Sequence, residues 1–218
     1  MLKKVVAFNG SGRKNGNTAQ MLKKFLEGAS SQGAQTELVH LSDLNFKGCQ
    51  GCLSCHLTDD KMGVCSLNDD LTKYIKECES YKAMCFGTPL YFFSESGMMR
   101  CLLERLMFVN HLYKSPMSRY KGKAKVGFIT TMNISKEWFD NSSKQKLSIM
   151  PVTTEIFLRQ IFGNCEAVRA FDTLQCNDYK KYHIETMSEE HKRKVHEEQF
   201  PIDLQKAYDL GVKLARDD

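Results

Sequence analysis

At 218 residues, 42% of them hydrophobic, the chain has the length for one domain with a substantial core, and wholesale disorder is excluded. Its formal net charge of +5 comes from 31 Lys and Arg dispersed among 26 Asp and Glu, a solvated-surface pattern that argues against a nucleic-acid partner. No apolar run approaches a membrane span and no secretion signal opens the chain, so a cytoplasmic location without a membrane partner is expected.

Residues 4–8 predict the first strand, and Leu22, Phe25, Leu26 and Ala29 give one face to a helix over residues 18–30. Between them lies Phe8-Asn9-Gly10-Ser11-Gly12-Arg13-Lys14-Asn15-Gly16-Asn17-Thr18. Small, hydroxyl-bearing residues between a first strand and a first helix mark a phosphate site, because backbone N–H groups and a helix N-terminus converge there. The loop lacks the Lys-Ser/Thr ending of a P-loop. Its third glycine falls one residue late for the dinucleotide fingerprint. Ser11, Arg13, Asn15, Asn17 and Thr18 are the candidate phosphate-binding residues, with Arg13 supplying charge.

Residues 36–40 predict a second strand, and residues 41–68 are irregular and cysteine-rich. Asp69-Asp70 opens a helix to about residue 79, an acidic pair suited to a helix N-terminus. A buried strand over residues 83–87 leads into Thr88-Pro89-Leu90-Tyr91-Phe92-Phe93-Ser94, then a helix over residues 95–109 with Met98, Leu102, Leu106 and Val109 on one face. A strand over residues 124–130 precedes Thr131-Met132-Asn133 and a long polar connection. A helix over residues 154–162 and a strand over 165–171 follow. The last helix spans about 202–216, with Leu204, Tyr208, Val212 and Ala215 aligned. This alternation predicts a three-layer α/β/α sandwich with a five-stranded, mainly parallel sheet. Five strands suit the flavodoxin-like order 2-1-3-4-5. Residues 1–218 read as one such domain, with a cysteine-rich insertion at about 45–68 and a C-terminal helical extension at about 186–218.

The first loop resembles the Gly-Ser-x-Arg-x-x-Gly-Asn-Thr signature of the NAD(P)H-dependent FMN reductase and iron–sulfur flavoprotein families. Gly12 stands where those families often carry a proline. The resemblance implies a flavodoxin-like fold that holds the FMN phosphate in this loop. It makes Pro89, Leu90, Tyr91, Phe92, Phe93 and Ser94 the candidates for contact with the flavin ring. Thr131, Met132 and Asn133 become candidates for its far edge. It implies an oxidoreductase that takes hydride from NADH or NADPH and passes electrons to free flavin, a quinone, another small electrophile or a protein. A flavoprotein electron carrier is the alternative, and a non-redox phosphate or zinc module ranks below it. No catalytic acid or base is nominated. The resemblance also implies a homodimer or larger assembly.

Cys49, Cys52 and Cys55, with Cys65, resemble the compact motif of iron–sulfur flavoproteins, but the last gap is longer than usual there. Four thiolates so spaced can hold a [4Fe–4S] cluster. Flavodoxin-like relatives without a cluster carry a similar Cys-x-Gly-Cys segment ahead of an Asp pair, as Gly51 and Asp69-Asp70 do here. The cluster is therefore an open alternative that is not favoured over reduced thiols, with zinc third. The other five cysteines, Cys78, Cys85, Cys101, Cys165 and Cys176, read as buried structural thiols. His191 and His196 read as solvated, and Trp138 as a packing residue or a cover over the flavin.

Overall fold

The computed structural model describes residues 3–57, 61–144 and 149–217. Residues 58–60 of the cysteine-rich stretch and 145–148 of the polar connection lie outside them. Strands β1 (Lys4–Asn9), β2 (Gln35–His40), β3 (Ala83–Tyr91), β5 (Lys125–Thr131) and β6 (Glu166–Ala170) pair in parallel in the order β2-β1-β3-β5-β6. This is the expected flavodoxin-like order. A two-residue strand, β4 (Ser94–Glu95), adds a sixth and pairs antiparallel with the end of β3.

The alternation of β1 divides the core. Val5 and Ala7 point to one layer, with α1 (Asn17–Ser30) and α7 (Phe200–Ala215). Val6 and Phe8 point to the other, with α2 (Thr72–Glu77), α3 (Gly97–Asn110) and α5 (Ile149–Phe162). Side chains buried on both faces are what parallel crossovers require. Helix α1 buries all four residues of its expected apolar face. At about 1.5–3 kcal/mol for each large apolar side chain, that face anchors the loop that precedes it.

Two expectations are corrected. The polar connection after β5 contains a helix, α4 (Lys136–Lys144), and α5 begins earlier than its strongest apolar pattern. The buried face of α7 is Phe200, Asp203, Ala207, Leu210, Gly211, Leu214 and Ala215, while Leu204, Tyr208 and Val212 are only partly covered. Small residues rotate the helix. A Cβ on Gly211 would lie 1.9 Å from the Phe25 carbonyl oxygen, and one on Gly28 would lie 2.1 Å from that of Tyr208. The two backbones approach where only hydrogen fits. A further helix, α6 (Glu189–Glu198), lies in the C-terminal extension.

Candidate functional site

The carboxyl ends of β1, β3, β5 and β6 open into one cavity of about 1090 Å³. Its first wall is the loop after β1. Asn9 builds it: its Oδ1 accepts the Ser11 N–H at 3.0 Å, and its Nδ2 donates to the Ser11 carbonyl at 3.2 Å. Ser11 Oγ accepts the Arg13 N–H at 3.1 Å. The Gly10 N–H donates to the Gly87 carbonyl at 2.8 Å, and Ser96 Oγ donates to the Gly10 carbonyl at 2.6 Å. Loop one is thereby fastened to β3 and to the start of α3.

Helix α1 begins after Gly16 with no side-chain cap and no acidic residue in its first turn. Its end carries unsatisfied N–H groups and a partial positive charge. Thr18 is buried, and its hydroxyl shares a 2.8 Å hydrogen bond with that of Thr131. That bond joins the first loop to the loop after β5. Asn15 Oδ1 accepts from Lys23 at 3.1 Å. Arg13 donates to the Gln175 carbonyl, and Asn17 Nδ2 to that of Leu174 at 2.8 Å.

Pro89, Leu90, Tyr91 and Phe92 form the second wall, and Thr131, Met132 and Asn133 the third. Phe92 and Phe93 make the β3–β4 turn, both in the left-handed region with φ of 51° and 65°. Phe92 is fully exposed and borders the cavity. Phe93 and Ser94 do not line it. The Phe93 ring stacks on Trp138 at 5.2 Å, and Ser94 Oγ donates to the Glu95 carboxylate at 3.2 Å. The turn reverses the chain after Phe92, which carries both side chains away. Trp138 is thus a packing partner of Phe93.

The fourth wall was not anticipated. Thr173 to Asp178, Lys181, Tyr182, Ile184 and His196 also line the cavity. Cys176, expected to be a buried thiol, lies here partly exposed. His196, expected to be solvated, stacks on Phe200 at 5.1 Å. Helix α6 braces this wall. Lys192, nearly buried, donates to the Asn133 carbonyl and pairs with Asp172, and the Asn177 carbonyl accepts from Arg193 at 2.5 Å. One signal could have found the wall: the strand over residues 165–171 must end at the same sheet edge as the others.

Cys49, Cys52, Cys55 and Cys65 line a second, smaller cavity of about 30 Å³ together with Arg105. Burial raises the Cys55 pKa, and the other three thiols add to the rise. The Ser66 hydroxyl beside exposed Cys52 lowers that of Cys52. Among the described residues, no three His, Cys, Asp or Glu side chains converge closely enough to hold a metal ion. Thiolates on one zinc ion would have to lie within about 4 Å of each other, given a Zn–S distance near 2.3 Å. A four-iron cluster spreads its thiolates further apart. Four thiols around one cavity match the number of ligands such a cluster takes, beside a buried guanidinium whose Nε has no partner.

A flavodoxin-like sheet with a phosphate-type loop at its carboxyl edge defines the class. Within it, the chain belongs to the NADPH-dependent FMN reductase family, whose pattern matches residues 3–157. It is 34% identical over 102 residues to an iron-sulfur flavoprotein of Archaeoglobus fulgidus, covering 47% of this chain and 48% of that one. The chain spans about half the length of the curated relatives it matches first. The fold is shared with the NAD(P)H:quinone oxidoreductase from Methanothermobacter marburgensis, at a TM-score of 0.67 and 13% identity over all of both chains. An FMN-dependent NADH-azoreductase from Bacillus anthracis, solved in complex with FMN, has the same TM-score at 11% identity, covering 99% of this chain and 100% of that one.

Proposed function

We propose that the large cavity binds FMN and that the chain is an NAD(P)H-dependent oxidoreductase serving a small electron acceptor. The observation that carries this is the uncapped N-terminus of α1 beside Arg13, opening into a cavity flanked by Tyr91 and Phe92. An anionic group is favoured at one end and a flat ring at the other. When bound, FMN supplies the hydride-accepting and electron-donating chemistry. The chain's own residues bind and orient: Arg13 and the helix end offset phosphate charge, Thr131 braces that end through Thr18, and Asn133 offers a polar group to the ring's far edge. In this reading residues 1–218 are a single FMN-binding domain.

The test is a visible spectrum of anaerobically purified protein, followed by addition of NADH or NADPH. Flavin bands that bleach on reductant are expected. In the same preparation Arg13→Ala should weaken FMN binding by about 1.5–3 kcal/mol, the worth of a hydrogen bond to a charged group. Riboflavin, which lacks the phosphate, should be unaffected. Equal losses for both ligands would place the phosphate elsewhere, and an absence of flavin uptake would sink the reading.

The small cavity favours a second, compatible reading: a thiolate-ligated [4Fe–4S] cluster held by Cys49, Cys52, Cys55 and Cys65. Its support is the gathering of all four thiols and the iron–sulfur flavoproteins among the relatives. Iron and sulfide assays test it. A homodimer belongs to the same proposal, supported by exposed Phe92, Trp138, Ile156 and Phe157 on neighbouring elements. A cytoplasmic setting fits nine cysteines that are all free.

A further inference from the structure

Arg105 is 1% exposed and sits on α3, facing the cysteine-bearing loop. A buried guanidinium cannot shed its proton, so its charge must be offset and its donors filled. One end is. Its Nη1 donates to both Asp69 oxygens, at 2.8 and 2.6 Å, and to the Lys47 carbonyl at 3.2 Å; its Nη2 donates to the Leu67 carbonyl at 3.5 Å. Asp69 accepts in turn from the Lys47 N–H at 3.2 Å and the Leu71 N–H at 3.1 Å. Lys47 and Leu67 are the two ends of the segment that carries all four thiols. The ion pair therefore closes that segment onto α3, at a cavity that shares no lining residue with the large one. The Nε donor is not filled. The Arg105 Nε–H is buried without a protein partner, and the residue lines the thiol cavity. An orphaned buried donor costs about 1–3 kcal/mol. Sulfur acceptors of a negatively charged group in that cavity would fill it.

We propose that Arg105 is the positioning cation of an iron–sulfur centre ligated by Cys49, Cys52, Cys55 and Cys65. Through Asp69 it holds both ends of the ligand loop, and through Nε and its charge it stabilises the anionic centre. This rests on the cluster reading above and not on the flavin reading. Reduction adds negative charge, so a nearby cation raises the potential and a nearby carboxylate lowers it. The two halves of the clamp therefore act with opposite signs. Loss of a merely structural ion pair would loosen the loop in the same way from either side.

The experiment uses the whole chain, purified and reconstituted without oxygen, with flavin, iron and sulfide quantified separately. About four irons and four sulfides per chain are expected. The cluster midpoint potential is then read by redox titration with electron paramagnetic resonance. Arg105→Gln should lower it, Asp69→Asn should raise it, and Arg105→Lys should leave it near the original while retaining less iron. Protein without iron and sulfide after reconstitution overturns the proposal, whatever its flavin content. So do potentials that stay fixed or move the same way in both variants. If Arg105→Gln fails to fold, Asp69→Asn decides alone: a raised potential supports the assignment, and an unchanged or lowered one overturns it. A cluster-bearing protein without flavin would sink the flavin reading and leave this one standing.

Discussion

Asn9 uses both ends of its amide on the loop it precedes, and a third contact fixes which way it faces. Its Nδ2 also donates to His40 Nδ1 at 2.9 Å, so the imidazole must be neutral at that nitrogen. The His40 pKa is lowered, first by burial, then by Lys14 and Lys23, with Asp43 opposing. The folded protein thus takes up the proton at a lower pH than the unfolded chain, whose histidine titrates near pH 6.5. The unfolded state binds more protons in that window, so stability falls as pH drops below about 6.5 and is unaffected well above it. Protonation at Nδ1 would set a donor against the Asn9 Nδ2 donor and release the bracket around Ser11. FMN affinity and urea stability should both fall from pH 7 to 5 in the native protein. In His40→Gln, neutral throughout, both profiles should be flatter. Profiles of equal steepness in the two proteins would remove His40 from the account.

The β3–β4 hairpin shows how an element can be legible in place and misjudged in detail. A strand followed by Thr88-Pro89 announces a loop at the sheet edge, and the loop is there. Nothing in Phe92-Phe93 announces a turn with both central residues at positive φ, a conformation usually given to Asn and Gly. Phe93 and Ser94, expected at the flavin ring, stand off the cavity for that reason. Holding a phenylalanine in the left-handed region costs about 1 kcal/mol or more. Phe93 has the Trp138 stack to offset this, whereas Phe92 makes no buried contact in the isolated chain. Phe92→Asn should therefore stabilise the monomer by up to about 1 kcal/mol in urea unfolding. The same change should weaken self-association measured by sedimentation. A destabilised monomer with unchanged association would show that the exposed ring serves neither purpose.

At the scale of the molecule, three of the cavity's four walls were legible because each follows a strand whose apolar run is plain. The fourth follows β6, half-exposed and weakly patterned, and its residues 173–184 have no periodicity to read. The face of α7 was misread for a related reason. Pattern reasoning weights large apolar residues, yet Ala207 and Gly211 decide how close the helix can lie to α1. That closeness matters at a distance, because α1 carries the uncapped N-terminus at the cavity and α7 backs it. Gly211→Ala puts a methyl group where the Phe25 carbonyl now lies, and the obstacle is backbone on both sides. Neither helix can yield by rotating a side chain. The helices must part, at a cost of about 1–3 kcal/mol, typical of overpacking, despite the gain in helix propensity from Gly to Ala of about 1 kcal/mol. Urea unfolding should report the net loss, and FMN affinity should fall modestly as α1 shifts. An exposed position such as Gly97, whose Cβ would meet nothing within 4 Å, provides the control. If Gly211→Ala were as stable as Gly97→Ala, the contact between α1 and α7 would not be the tight joint that sets the first wall.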